Sequence, residues 1–142
     1  MGSAASRPFE LGGIDHVLLL IEDMPRALRF YQEVLGCELK RELPQYGMAE
    51  LKAGASALDL VDVAVAEGAW ARSPAEGGRN MDHLCLAISR CAPEALRRHL
   101  AAHGVLIAEE RTDLEDGREI LSLYVRDPSG NTIELKTRTA GA

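Results

Sequence analysis

The sequence is short of cysteine, of positive charge and of long apolar runs, and each shortage narrows what the chain can be. Its three cysteines, Cys37, Cys85 and Cys91, contain no Cys-x-x-Cys pair, and any disulfide scheme leaves one over. A disulfide framework is thereby disfavoured, and free thiols in a reducing cytoplasm are expected. The longest apolar run, Val17 to Ile21, falls far below the roughly 20 residues of a membrane-spanning helix. No signal-peptide pattern opens the chain, so a soluble, cytoplasmic protein without a membrane partner is expected. With 16 basic against 22 acidic residues, the net charge of −6 disfavours nucleic acid and anionic lipid surfaces. A length of 142 residues suffices for one domain with a true core and not for two ordinary ones.

What the sequence does contain is a repeat. "IDHVLLLI" over residues 14–21 returns as "MDHLCLAI" over 81–88, with the Asp-His pair, a leucine and the closing isoleucine in step. A helical pattern follows each copy. In "DMPRALRFYQEVLG" the apolar positions recur at three and four, Pro25 falls in the first turn and Gly36 is a C-cap candidate. "CAPEALRRHLAAHG" repeats the design, with Pro93 early and Gly104 at the end. Three strand-like runs then follow each helix, at about 37–43, 46–53 and 56–63, and at 105–112, 118–126 and 131–138. In the second set "DPSGN" supplies the last turn.

The expected fold is therefore α+β: two tandem βαβββ modules related by pseudo-twofold symmetry, with mixed sheets curving around a cleft and one helix outside each module. Module 1 is placed at about 13–63, a linker at 64–79 and module 2 at about 80–138. Residues 1–12, small and unpatterned, read as a flexible leader, and 139–142 as a tail. The leader formally matches a Met-Gly-x-x-x-Ser acylation pattern, one short enough to arise by chance.

Each module offers a histidine on its first strand, His16 or His83, and an acid between apolar residues on its last, Asp59 in "LDL" or Glu134 in "IEL". An unpaired carboxylate in apolar surroundings costs several kcal/mol, so something must compensate these two. A divalent metal ion is the economical answer, because two imidazoles and two carboxylates supply four N and O ligands. Strand alternation puts Leu18 and Leu20 on the face of His16, Cys85 and Ala87 on that of His83, and Val61 on that of Asp59. The uninterrupted apolar runs predict that both faces of these strands are buried.

The paired modules, the "DH" strand openings, "RALRFYQEVLGCEL" and "LYVRDPSGNTIEL" together resemble the vicinal oxygen chelate superfamily, over roughly residues 13–137. That superfamily includes glyoxalase I, extradiol dioxygenases, fosfomycin-resistance enzymes and bleomycin-resistance proteins. The resemblance implies that His16, His83 and Glu134 bind a divalent metal: nickel, cobalt, zinc, manganese or iron. Where glyoxalase I has a second glutamate, this chain has Asp59, one methylene shorter, which binds directly, through water or from behind the ligands. The resemblance implies a small-molecule substrate bound through two neighbouring oxygens, a homodimer, and a glyoxalase-like lyase or isomerase with Glu134 as base and Asp59 assisting. An iron(II) extradiol-type dioxygenase and a metal-free ligand-sequestering protein are the alternatives it leaves open.

Other residues have plainer readings. Asp62 lies on the opposite strand face from Asp59, and Cys85 is either a small apolar filler or a substrate contact. The i, i+4 pair His99 and His103, flanked by Arg97 and Arg98, reads as helix surface. Arg126 belongs to a turn or to substrate binding. "TDLEDGRE" over 112–119 reads as a solvated acidic loop, and Trp70 as a cover for the site or a plug in a subunit interface.

Overall fold

Alternation of apolar side chains sets the architecture seen in the computed structural model, which describes Ile14 and residues 16–71, 83–115 and 117–138. The proposed leader and tail, the "DH" aspartates Asp15 and Asp82, and linker residues 72–79 lie outside the described residues. Module 1 runs β1 (His16–Ile21), α1 (Met24–Arg29), β2 (Glu38–Leu43), β3 (Met48–Ala53) and β4 (Ser56–Asp62). Module 2 runs β5 (Leu84–Ala87), α2 (Pro93–Ala102), β6 (Ile107–Glu115), β7 (Arg118–Arg126) and β8 (Thr132–Arg138). The two sheets have matching orders, β1-β4-β3-β2 and β5-β8-β7-β6. In each, the first strand lies parallel to the last and the other pairings are antiparallel. The α+β fold of two βαβββ modules is thus observed.

Local chemistry explains the helix ends. Asp23 takes a positive φ of 63° and its Oδ1 accepts from the Arg26 amide at 3.2 Å, capping α1 just before Pro25. The single helix expected through Leu35 instead widens after Arg29 into a π turn over Phe30–Val34. That turn lets two consecutive aromatic residues point inward: Phe30 and Tyr31 are both buried, edge to face at 5.1 Å. In α2, Leu96 and Leu100 face the core one turn apart. One continuous core joins the modules, from Leu19, Ile21, Tyr31 and Leu58 to Leu100, Leu123 and Ile133.

Two expectations are corrected. Burial on both strand faces does not hold in the single chain: Leu19 and Ile21 are 2% and 1% exposed, whereas Leu18 and Leu20 are 36% and 37% exposed. The helices and core cover one face of each first strand, and the face carrying His16, Leu18 and Leu20, like that of His83, Cys85 and Ala87, is open. The acidic segment 112–119 is mostly not a loop. β6 extends to Glu115 and pairs with β7 through Glu115↔Arg118, so cross-strand hydrogen bonds order these residues.

The "DPSGN" turn does more than reverse the chain. The Tyr31 hydroxyl donates to Asp127 Oδ2 at 2.6 Å, Asn131 Nδ2 donates to the Leu20 carbonyl at 3.0 Å, and the Glu22 amide donates to Ser129 Oγ at 2.7 Å. The last turn of module 2 is thereby clasped to the β1–α1 corner of module 1. Asp62 plays a related part in module 1, accepting from the Met24 and Ala64 amides at 3.0 Å each. Trp70 sits in a 3₁₀ segment, Ala66–Ala71, with its indole N–H on the Tyr46 carbonyl at 2.9 Å. That segment is held close because Gly68 lies against the Asp62 carbonyl, where a Cβ would collide.

Candidate metal centre

The sheet register decides which side chains meet. In module 1, His16 on β1 reaches across to Asp59 on the neighbouring β4, with Nε2 3.5 Å from Oδ2. In module 2, His83, just before β5, brings Nε2 to 3.0 Å from Glu134 Oε1 on β8. Both carboxylates are largely shielded, at 11% side-chain exposure, while the imidazoles stand more open at 46% and 34%. All four sequence-derived candidates therefore form two matched pairs, one per module. Among the described residues, no three His, Cys, Asp or Glu side chains lie close enough together to hold a cation.

The two pairs differ in their surroundings. Ser122 Oγ donates to Glu134 Oε2 at 2.8 Å, leaving Oε1 toward His83. Burial pushes the Glu134 carboxyl up, but donors on Ser122, Tyr124 and Cys85 and the charge of His83 outweigh it and hold it below the usual carboxylate range. The Tyr124 ring stands edge-on to His83 at 5.6 Å. Tyr124, Arg111, Arg126 and Thr132 line a cavity of about 270 Å³ with His83. Across from Asp59, by contrast, lies Glu50, which a bidentate Arg41 neutralises at 2.7 and 2.9 Å. Bonding to Arg41 holds the Glu50 carboxyl below its ordinary value.

Each pair by itself has the spacing of two ligand atoms on one divalent ion. Ligand atoms about 2.0–2.2 Å from a metal, at angles between square and tetrahedral, lie roughly 2.8–3.6 Å from each other. The observed N···O separations of 3.5 and 3.0 Å fall within that span. Neutral imidazole with carboxylate is also the donor chemistry that zinc, nickel, manganese and iron(II) accept.

Ser122, Tyr124 and Arg111 escaped the sequence reading. The signal available was the alternation of Ser122, Tyr124 and Arg126 with Leu121, Leu123 and Val125, which marks one polar face of β7. Which residues that face would meet depended on the β7–β8 register, Tyr124↔Glu134. Cys85 lies opposite Glu134 in the β5–β8 register. His99 is drawn away from any metal role, its Nε2 2.8 Å from the Val34 carbonyl, with the His103 ring 4.8 Å away. Trp70 lies beside Tyr46, Arg126 is exposed at the end of β7, and Cys37, Cys85 and Cys91 form no disulfide with one another. Among the described residues, no helix is long and apolar enough to cross a membrane.

Known proteins are similar to this chain in sequence and in fold. A virulence protein of Salmonella typhimurium is 33% identical over 125 residues, 86% of this chain and 81% of its own length. A lactoylglutathione lyase of the same organism is 29% identical over 122 residues, 84% and 88% of the two chains. The crystal structure of a lactoylglutathione lyase from Agrobacterium tumefaciens superposes with a TM-score of 0.68 at 25% identity, covering 90% and 95% of the chains. A fosfomycin resistance protein from Listeria monocytogenes shares the fold, with a TM-score of 0.67 at 16% identity over 90% and 94%. The family profile itself matches residues 13–135, nearly the whole of both modules. With its paired modules and matched histidine–carboxylate pairs, the chain belongs to the Glyoxalase/Bleomycin resistance protein/Dioxygenase superfamily.

Proposed function

We propose that this protein is a divalent-metal-dependent lyase or isomerase of the glyoxalase type, acting in the cytoplasm on a small substrate through two neighbouring oxygens. The observation that carries this reading is the pair of histidine–carboxylate couples, His16–Asp59 and His83–Glu134, each spaced to share one cation. The 29% identity to lactoylglutathione lyases favours the isomerising reaction over dioxygenation. Lewis acidity toward two adjacent oxygens is the chemistry a divalent ion supplies when bound there.

The chain's own residues supply the rest. Glu134 is the base that takes a proton from the substrate carbon, with Ser122 holding its far oxygen in place. Asp59 assists from the other module. The open faces of β1 and β5, with Leu18 and Leu20 about one-third exposed, support completion of the centre in a homodimer. In it, His16 and Asp59 of one protomer stand opposite His83 and Glu134 of its partner.

Metal analysis of the purified protein, then reconstitution with nickel, cobalt, zinc, manganese and iron(II), tests this reading. Turnover is scored on a hemithioacetal and on a catechol with oxygen. Bound metal that disappears in both His16→Ala and His83→Ala is expected, with turnover of the hemithioacetal alone. Unchanged metal content in those variants, or catechol cleavage in place of isomerisation, overturns the proposal. Mixing the two inactive variants regenerates one intact centre per mixed dimer, so partial return of activity is expected if the centre spans protomers.

Asp59→Glu is the finer probe. If the aspartate binds directly but from about 1 Å too far back, adding the methylene raises hemithioacetal turnover by about ten- to a hundredfold. Unchanged turnover in that variant would place Asp59 behind the ligands.

A further inference from the structure

A cavity of about 760 Å³ opens between α1, the α2–β6 connection and the β7–β8 turn, and neither histidine–carboxylate pair lines it. Arg26 and Arg29, one helical turn apart, reach it from α1, Arg126 from the end of β7 and His103 from the end of α2. Its apolar lining includes Phe30 and Val105. Arg41, Arg97 and Arg111 each hold a carboxylate, but the guanidinium groups of Arg26, Arg29 and Arg126 have no ion pair or side-chain hydrogen bond among the described residues.

Three guanidinium groups around one cavity with no partner among the described residues are conspicuous in a chain where acids outnumber bases, 22 to 16. The acids at hand do not neutralise them. Asp127 already accepts from the Ser129 and Asn131 amides on one oxygen and from Tyr31 and Asn131 side chains on the other. Glu33 is the remaining carboxylate in the lining and pairs with none of the three. Guanidinium groups bind phosphate and carboxylate oxygens in bidentate fashion, and an apolar lining suits the organic part of a ligand.

We infer that this cavity is a second binding site, for an organic dianion that presents a phosphate ester or two carboxylates to Arg26, Arg29 and Arg126 and lays an apolar portion on Phe30 and Val105. Arg126 and Ala108 also line the 270 Å³ cavity beside His83, so the bound dianion lies next to the cleft without using its metal residues.

Calorimetric titration of the full-length protein at low ionic strength tests the site with phenyl phosphate, phthalate and inorganic phosphate as probes. Phenyl phosphate is expected to bind more tightly than inorganic phosphate, and phthalate reports whether two carboxylates serve as well as a phosphate. Arg26→Gln/Arg29→Gln is expected to weaken binding by about tenfold or more per arginine. Glu33→Gln is expected to tighten it, and added salt to weaken it. Arg98→Gln/Arg118→Gln, which removes two arginines outside the cavity that also have no ion pair among the described residues, leaves affinity unchanged. No binding of any probe overturns the site, as does wild-type affinity in the first double variant or an equal loss in the second. Equal affinity for phenyl phosphate and inorganic phosphate removes the apolar contact from the assignment. Repeating the titration in His83→Ala separates the two sites: binding there persists even if no metal centre exists.

Discussion

Glu134→Gln is expected to lower turnover of the metal-loaded protein by about 10²- to 10⁴-fold, the range that follows loss of a positioned general base. The amide keeps the size of the side chain and an acceptor for Ser122, so the sheet does not have to move. Under the proposed function it loses the charge that would take up a proton and one of the two anionic oxygens that would hold a cation. Metal content and single-turnover rate are therefore measured on the same sample. Residual metal with abolished turnover assigns Glu134 the proton; loss of both assigns it first to binding.

Ser122→Ala provides the scale for that effect. It removes only the 2.8 Å bond that orients Glu134, and if Glu134 binds metal as proposed, a group orienting it in this way contributes about 10- to 100-fold. A loss in Ser122→Ala equal to that in Glu134→Gln would mean that placement of the carboxylate, not its basicity, limits the reaction.

Much of this arrangement was legible because the chain states it twice. The recurrence of "DH" before an apolar strand, and of an acid between leucines or isoleucine and leucine, marks His16, His83, Asp59 and Glu134 without any knowledge of distance. The three strands after each helix also fall close to their expected positions, since alternation and turn residues are local signals. What escaped reading depends on register or on long-range contact. Tyr124 opposes Glu134 only because β7 pairs with β8 in one register, and a slip of one residue would turn its ring to the core. The π turn at Phe30–Val34 leaves no mark in a pattern that reads equally well as α-helix. The open faces of β1 and β5 could not be foreseen from apolar content, because an apolar strand face reads the same in sequence whether or not the chain's own core covers it.

The contact with the least sequence signal, between residues 31 and 127, carries a large expected effect on stability. Asp127 is 4% exposed and accepts four hydrogen bonds, from the Tyr31 hydroxyl, the Ser129 and Asn131 amides and the Asn131 side chain. Asp127→Ala strands all four donors and is expected to cost at least about 3 kcal/mol. Against a total of about 5–15 kcal/mol for a domain, that is a large share, seen as a fall in Tm of roughly 10 °C or more. Tyr31→Phe leaves the ring in place and removes one bond to a charged acceptor, for about 1.5–3 kcal/mol. If the clasp acts as a unit, the double variant loses less than the sum, with a coupling above about 0.5 kcal/mol. Additive losses would show that the turn and the helix are stabilised separately.

Alkaline pH gives an independent reading. Burial, the nearby Asp127 charge and the bond to it hold the Tyr31 hydroxyl above its ordinary value of 10.0, so the folded protein keeps its proton where the unfolded chain has released it. The stability this group contributes is therefore whole below about pH 10 and falls above it by about 1.4 kcal/mol per pH unit. Tyr31→Phe has nothing to ionise at that position. Its deficit relative to the unaltered protein is expected to shrink from pH 10 upward, measured by denaturant unfolding at stepped pH. A deficit that stays constant to pH 11 would mean that Tyr31 does not reach Asp127 as a buried, protonated donor.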